Sequence, residues 1–354
     1  MNKRNLILGG GAIVALAIPA IGLRLLKSKG LEYVLRRQIR AHQEHAQAVA
    51  ATLQRPDRIT TVLCGVGSPL SQTGAQSCTA VFVNGQFLLF DAGNNALSSM
   101  RASDLPLDAL DAVFITHFHN DHYADLGDVM EWSWILGRRH ILPIHGPTGI
   151  TQIVAGFRSA YELEARYRTA HHGADLMPPE WSPSEPVEFA PPDDDAAIVI
   201  YERDGVTVKA FRVSHPPIEP SVGYRIAYAG QVIVISGDTV RTPALLAASR
   251  NADLLVAEAM NMKLVEIMEN INRELGETDR AAILCDIREY HMDVSDVGAL
   301  AHEAQVQRLV LNHLAPRPGS QRQARRFFQK PVAEHYAGEL FVGEDGMQIV
   351  IPVA

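Results

Sequence analysis

Hydrophobic and polar positions fall into three regimes along this chain. Residues 6–23, LILGGGAIVALAIPAIGL, are uncharged and almost wholly apolar. Residues 31–53 contain no Gly or Pro and space Leu31, Val34, Leu35 and Ile39 along one side of a polar helix, which Pro56 ends. From Ile59 the pattern becomes short apolar runs broken by Gly, Pro and Asp, the signature of strands. The first runs are Ile59–Leu63, Thr79–Val83 and Phe87–Phe90, the last two joined by Asn84-Gly85, a strong hairpin signal. A further strand is expected over 111–116, with helices over 122–137 and 148–168. The polar stretch 173–196, rich in Pro and Asp, reads as a surface excursion. Strands resume over 206–213, 222–228 and 232–235. The last third alternates helix 242–249, strand Leu254–Val256, helices 278–289 and 294–304, and strand Leu309–Leu311. Two halves that each begin with strands and close with helices fit two packed sheets with helices outside.

The first regime changes the picture of location. Its eighteen residues sit at the lower edge of what spans a bilayer, with Lys3 and Arg4 before it and Arg24, Lys27 and Lys29 after it. The expectation is an N-terminal hydrophobic helix, a signal peptide or membrane anchor over 1–29, followed by a helical spacer over 30–56. Ala15-Leu16-Ala17 offers a cleavage site, and the basic cluster that follows opposes cleavage. The heavier positive flank leaves the cytoplasmic face open. The reading favours a tethered protein in the periplasm or at the cell membrane. Residues 1–56 carry a balance of +7 and the remainder −15. The basic start suits an anionic lipid surface, and the acidic remainder is a poor platform for nucleic-acid backbones. A nucleic-acid partner is therefore not expected. Three cysteines are too few for a disulfide scaffold and show no C-x-x-C spacing, although Cys64 and Cys78 flank a loop and could pair under oxidising conditions.

The densest chemistry lies in Thr116-His117-Phe118-His119-Asn120-Asp121-His122, directly after an apolar strand. Three imidazoles and a carboxylate in this spacing are a ligand set for transition metals. Residues two apart on an extended segment point the same way, so His117 and His119 can grip one ion while Asp121 and His122 face a second. The H-x-H-x-D-H motif resembles that of the metallo-β-lactamase-fold hydrolases, which collect a further His, Asp and His in that order. The same order is present here in His215, Asp238 and His313, each just after a predicted strand. The resemblance covers roughly residues 59–351. It implies a four-layer αβ/βα sandwich for a hydrolase domain over 57–354, with His117, His119 and His215 on one ion. It puts Asp121, His122 and His313 on the other and makes Asp238 the bridge. Zn²⁺ is the expected metal, with Mn²⁺ and Fe²⁺ as alternatives. Homodimers are common in that family.

Two further stretches, Ala257-Glu258-Ala259-Met260 and His291-Met292-Asp293-Val294, resemble motifs of the ribonuclease Z branch, in which a Glu–His pair assists proton transfer. Ala257, Met260 and Pro318 depart from the residues of that branch. Asp293 stands where the branch has a helix-capping Thr, and Asp also caps well. Asp91, in Asp91-Ala92-Gly93, can accept a hydrogen bond from a ligand imidazole, and Thr116 can orient its neighbours. Gly146-Pro147-Thr148-Gly149, Ala160-Tyr161 and Tyr224-Arg225 resemble an arylsulfatase-like exported group instead. The expected activity is hydrolysis of a small sulfate or phosphate ester by a hydroxide shared between two metals. Asp121, Glu258 and His291 form its catalytic set. A ribonuclease Z-type endonuclease is the first alternative, and a non-catalytic metal-binding or sensor protein the second.

Overall fold

The computed structural model describes residues 28–71 and 73–353. Its first sheet is built from β1 (Arg58–Gly65), β2 (Cys78–Val83), β3 (Gln86–Phe90), β4 (Leu110–Phe114), β5 (Leu142–Pro147) and β6 (Ser184–Phe189). The second uses β7 (Ala197–Arg203), β8 (Val206–His215), β9 (Ile218–Tyr228), β10 (Gln231–Ile235), β11 (Leu254–Met260), β12 (Arg308–Ala315) and β13 (Glu339–Val342). The last strand, β14 (Met347–Pro352), returns to the first sheet beside β1, giving the orders β14-β1-β2-β3-β4-β5-β6 and β13-β12-β11-β10-β9-β8-β7. Each sheet opens with antiparallel pairs and continues with parallel ones. Parallel neighbours require crossovers, and the crossovers supply the outer helices. They include α2 (Ala96–Ala102), α3 (Asn120–Tyr123), α4 (Leu126–Leu136) and α5 (Ile150–His172) in the first half, after the N-terminal α1 (Ser28–Leu53). The second half adds α6 (Pro243–Ser249), α7 (Met262–Glu274), α8 (Thr278–Asp286) and α9 (Val294–Glu303). The result is the expected two-sheet αβ/βα sandwich.

The sequence of β3 shows why the layers form. Gln86–Phe90 is buried at every position, so both faces are covered. Leu88 and Phe90 join the core between the sheets, while Phe87 and Leu89 pack with Leu126, Val129 and Val154 of the outer helices. The β2–β3 hairpin turns on Asn84 (φ 47°) and Gly85 (φ 76°), both left-handed, as a two-residue turn requires. Between the sheets Phe90 stacks on Phe114, and Tyr224 meets both rings from the opposite sheet. The Tyr224 hydroxyl donates to the Ile115 carbonyl at 2.5 Å, and the Val222 N–H donates to the Thr116 carbonyl at 3.0 Å. The second sheet thus holds the first at the residues that lead into the histidine motif.

Several elements depart from expectation. The excursion 173–196 contains β6, an edge strand with Pro186 and two exposed glutamates, and β5 and β7 were not foreseen either. β6 is a polar edge strand without an apolar run, and β5, though buried between β4 and β6, has its run broken by Pro143. Cys64 and Cys78 form a buried disulfide that closes the β1–β2 loop. The spacer helix is present as α1, mostly exposed, with Val49 and Leu53 packed on the body. The expected signal or anchor, residues 6–23, lies outside the described residues. Among the described residues no helix is long and apolar enough to cross a membrane, so the expectation of a membrane-tethered, periplasmic protein is withdrawn.

Helix α4 carries one group that conflicts with its surroundings. Glu131 is 6 % exposed and its Oε1 has no hydrogen-bond partner. Burial, and then Glu164, push its pKa up to about 7 against the pull of Arg168 and Arg138. Buried Arg138 is engaged elsewhere, donating to Ser133 Oγ and to the carbonyls of Met130, His140 and Trp181. A carboxyl with a raised folded pKa contributes stability below its ordinary value of 4.5 and loses it as pH rises through about 7. Glu131→Gln is expected to stabilise the fold at pH 8.5 by on the order of 2 kcal/mol. The gain should shrink at pH 5, as read by thermal denaturation at the two pH values.

Candidate metal centre

After β4 the chain stays extended through His119 (φ −76°, ψ 142°) and then makes the single turn α3. This change of backbone sends His117 and His119 to one place and Asp121 and His122 to another. The loop after β3 fastens the turn: the Ala92 N–H donates to the His122 carbonyl at 2.7 Å, and the Asp125 N–H donates to the Ala92 carbonyl at 2.9 Å. Gly93 makes this approach possible, because a Cβ there would lie 1.9 Å from the Asp121 carbonyl oxygen.

The later residues reach the same place by breaks in strand register. In β8–β9 the pairing shifts between Val213 and His215. In β11–β12, Glu258 pairs with Asn312 but Ala259 pairs with Leu314, so His313 is left over as a bulge with φ +43°. A bulge re-aims a side chain that strict alternation would commit to one sheet face. Asp238 follows β10 through Gly237, whose φ is +62° and whose missing side chain leaves room for the Val222 carbonyl.

All seven expected ligands come together in two adjoining groups. In the first, His119 Nδ1 lies 3.2 Å from His117 Nε2 and 3.1 Å from His215 Nε2. A tetrahedral ion with nitrogens 2.0–2.1 Å away spaces them about 3.3 Å apart, so this group has the dimensions of a metal site. In the second, Asp238 Oδ2 lies 3.2 Å from His122 Nε2 and 3.3 Å from His313 Nε2, and Asp121 Oδ2 lies 3.0 Å from His313 Nε2. Asp238 Oδ2 is also 4.0 Å from His117 Nε2, so it faces both groups.

The electrostatics fit cations. Burial drives His117 well below the usual imidazole range and His215 down to about 4, leaving both neutral, the form that ligates. Around His122 burial is overcome by Asp238, Asp121 and Asp91, which raise its pKa well above the usual value. The carboxylates there demand positive charge, which divalent ions supply. His122 Nε2, the ring nitrogen that faces the second group, is buried without a hydrogen-bond partner, as is common where a donor atom serves a metal. These residues therefore fit a two-cation site.

A second ring of contacts aims the imidazoles. Asp91, itself left-handed at φ +59°, binds His122 Nδ1 at 2.8 Å through Oδ2 and accepts from the Thr116 N–H and hydroxyl. The roles foreseen for Asp91 and Thr116 are thus visible in the geometry. The Tyr290 carbonyl accepts from His215 Nδ1 at 2.9 Å and so turns Nε2 toward the centre. This contact has no sequence signal, since any residue supplies a carbonyl. Ser77 Oγ adds a bond to Asp91 at 3.3 Å.

Glu258 and His291 sit beside the second group, with His291 Nδ1 2.8 Å from Glu258 Oε2 and 3.9 Å from Asp238 Oδ2. Glu258 Oε1 accepts from the Thr239 N–H at 2.6 Å, which fixes the carboxylate. Burial lowers the His291 pKa, but Glu258 and then Asp238 bring it up to about 9. Asp293 caps α9 through the Ser295 N–H, as expected of a Thr substitute, and also accepts from the Met262 N–H.

Comparison with known proteins accords with this geometry. Residues 87–314 match a family model described as beta-lactamase superfamily domain. A ribonuclease Z of Mycobacterium bovis is 33% identical over 80% of this chain and 95% of its own length. Another, from Mycolicibacterium paratuberculosis, is 32% identical over 81% and 96%. Among solved structures, the metallo-beta-lactamase fold protein YhfI of Bacillus subtilis aligns with a TM-score of 0.59 at 21% identity, covering 83% of this chain and all of its own. The short form of human tRNase Z aligns at 0.57 and 22%, over 83% and 99%. The expectation against a nucleic-acid partner rested on net charge, and it does not stand beside relatives of this name and coverage. By its family model, its relatives and its fold, the chain belongs to the metallo-β-lactamase-fold hydrolases, metal-dependent enzymes, and is related to their ribonuclease Z branch.

Proposed function

We propose that the protein hydrolyses phosphodiester bonds in RNA in the manner of a ribonuclease Z, with two Zn²⁺ ions. His117, His119 and His215 would hold one ion, Asp121, His122 and His313 the other, and Asp238 both. The mixture of imidazole and carboxylate suits Zn²⁺ over softer or harder metals. The observation that carries this reading is the buried Glu258–His291 pair beside the second group of ligands, in a chain that spans 95% of a ribonuclease Z at 33% identity.

Bound there, the ions supply Lewis acidity toward the phosphoryl oxygens and a nucleophile at neutral pH. The protein's own work is to bring a proton to the other side of the reacting bond. His291 Nδ1 is held by Glu258 Oε2, so Nε2 is the ring's other donor and can protonate the leaving oxygen. Glu258 keeps that imidazole charged and fixes its plane, and the Thr239 N–H fixes Glu258. The raised pKa of His291 matches the duty of a general acid.

A second reading, hydrolysis of a small phosphate or sulfate ester, is favoured by one observation. The stretch 148–196 folds as α5 and β6 with interleaved charges, such as Glu162, Glu164, Arg166 and Arg168, a poor track for an RNA backbone, which needs a basic stripe. The two readings separate on a substrate panel. The Zn²⁺-loaded protein is expected to cleave a precursor tRNA and bis-p-nitrophenyl phosphate, and an Asp121→Ala, His122→Ala double variant to cleave neither. Turnover of p-nitrophenyl phosphate or p-nitrophenyl sulfate with intact tRNA would transfer the assignment to small esters.

Three variants test the roles of named groups. Glu258→Gln removes the carboxylate that raises the His291 pKa, so the alkaline limb of the kcat–pH profile should move to lower pH. His291→Ala should lower kcat by about 10²–10⁴ with the metal content unchanged. Asp91→Asn withdraws the acceptor that aims His122, and metal affinity measured by competition with a chelator is expected to fall about 10–100-fold.

A further inference from the structure

Strands β8 and β9 and helix α6 line an open cavity of about 220 Å³ on the outer face of the second sheet. Lys209 stands six residues before His215 on the same strand, which puts the cavity roughly 20 Å from the metal centre. Its walls are of two kinds. Ala244, Ala247 and Ala248 of α6 and the ring of Phe211 are apolar, while Lys209 and Arg225 each contribute a cation. Gly223 admits the Phe211 ring, since a Cβ there would come within 2.4 Å of it.

Lys209 and Arg225 are direct cross-strand partners in the antiparallel β8–β9 pair. Like charges placed opposite one another destabilise a sheet, and both side chains are half-buried, where water screens them poorly. Among the described residues neither has a carboxylate within the 4.0 Å of an ion pair. Arg212 on the same strand shows the satisfied alternative, bound to Asp193 at 3.0 Å and Glu219 at 2.8 Å. Arg225 Nε donates to the Ala248 carbonyl at 3.3 Å, which anchors the guanidinium and leaves its Nη groups available. Asp195 also lines the cavity, but it is exposed and does not pair with either cation.

We propose that this cavity binds a small organic anion. Its phosphonate-, phosphate- or carboxylate-type head lies between Lys209 and Arg225, and its compact apolar body lies against Phe211 and the alanines of α6. An anion removes the repulsion between the two cations and takes charge-assisted hydrogen bonds from both. The volume accommodates on the order of seven waters, enough for a head group and a ring-sized body.

Phenylphosphonate, which has no ester bond to hydrolyse, is the probe. It is titrated calorimetrically into the metal-loaded protein and into Lys209→Met and Arg225→Gln variants. The metal centre can also take a phosphonate, so two binding events are expected per wild-type chain. One of them should weaken about tenfold or more in each variant, with bis-p-nitrophenyl phosphate hydrolysis unchanged. Without the anion, Lys209→Met should raise Tm by relieving the repulsion. With it, the wild type should gain more in Tm than the variant. A single event, identical in wild type and variants, overturns the proposal. So does a fall in Tm of anion-free Lys209→Met, or binding of inorganic phosphate at this site as tight as that of phenylphosphonate, which would leave the apolar wall without a role.

Discussion

Four carboxylates, Asp91, Asp121, Asp238 and Glu258, are gathered at one edge of an apolar sandwich, none more than 3 % exposed. Burying anions costs several kcal/mol each unless charge and hydrogen bonds compensate. Most of the local structure answers that cost. The Thr116 N–H and hydroxyl serve Asp91, the Thr239 N–H serves Glu258, and imidazoles surround Asp121 and Asp238. What these do not neutralise is the demand that divalent ions meet. The tight Gly93 turn, the left-handed Gly237 and the Tyr224 bridge between sheets hold this concentration of charge in place.

Much of the site could be read from the chain itself, because a metal centre needs side chains of few kinds at fixed places in the strand order. His117 to His122 announce themselves by spacing, and His215, Asp238 and His313 by standing just past apolar runs in the order that the metallo-β-lactamase-fold hydrolases show. Strands with both faces covered, such as β3, were equally legible. What escaped the sequence follows a physical rule as well. β6 is a polar edge strand, the run of β5 is broken by Pro143, and α7 exposes most of its surface, so none of these shows a continuous apolar run; β7 does carry one, Ala197–Tyr201, which lies directly after the polar stretch and was passed over. The carbonyl of Tyr290 acts through backbone, which carries no residue signature. The inference against nucleic acid failed for a different reason: net charge is a sum over a whole domain and does not describe the surface around one cleft.

The geometry of His215 and His313 adds a point about strands as scaffolds. A regular strand can present a side chain only up or down, and the metal centre lies beyond the strand ends, at the edge between two sheets. The register shifts in β8 and β12 place each imidazole there. The price at residue 313 is a left-handed backbone on a side chain that carries a Cβ, a conformation that persists where the surroundings over-determine it. The Leu314 N–H, which donates to the Val66 carbonyl of the opposite half, supplies part of that determination.

Four of the converging residues come from the first half of the chain and three from the second, with His313 the last to be made. Neither half contains a complete donor set, though each contains most of a sheet. A polypeptide released at any point before residue 313 can therefore retain extensive secondary structure and still have no chemistry. Competence arrives only when the final third has been synthesised and has docked on what preceded it.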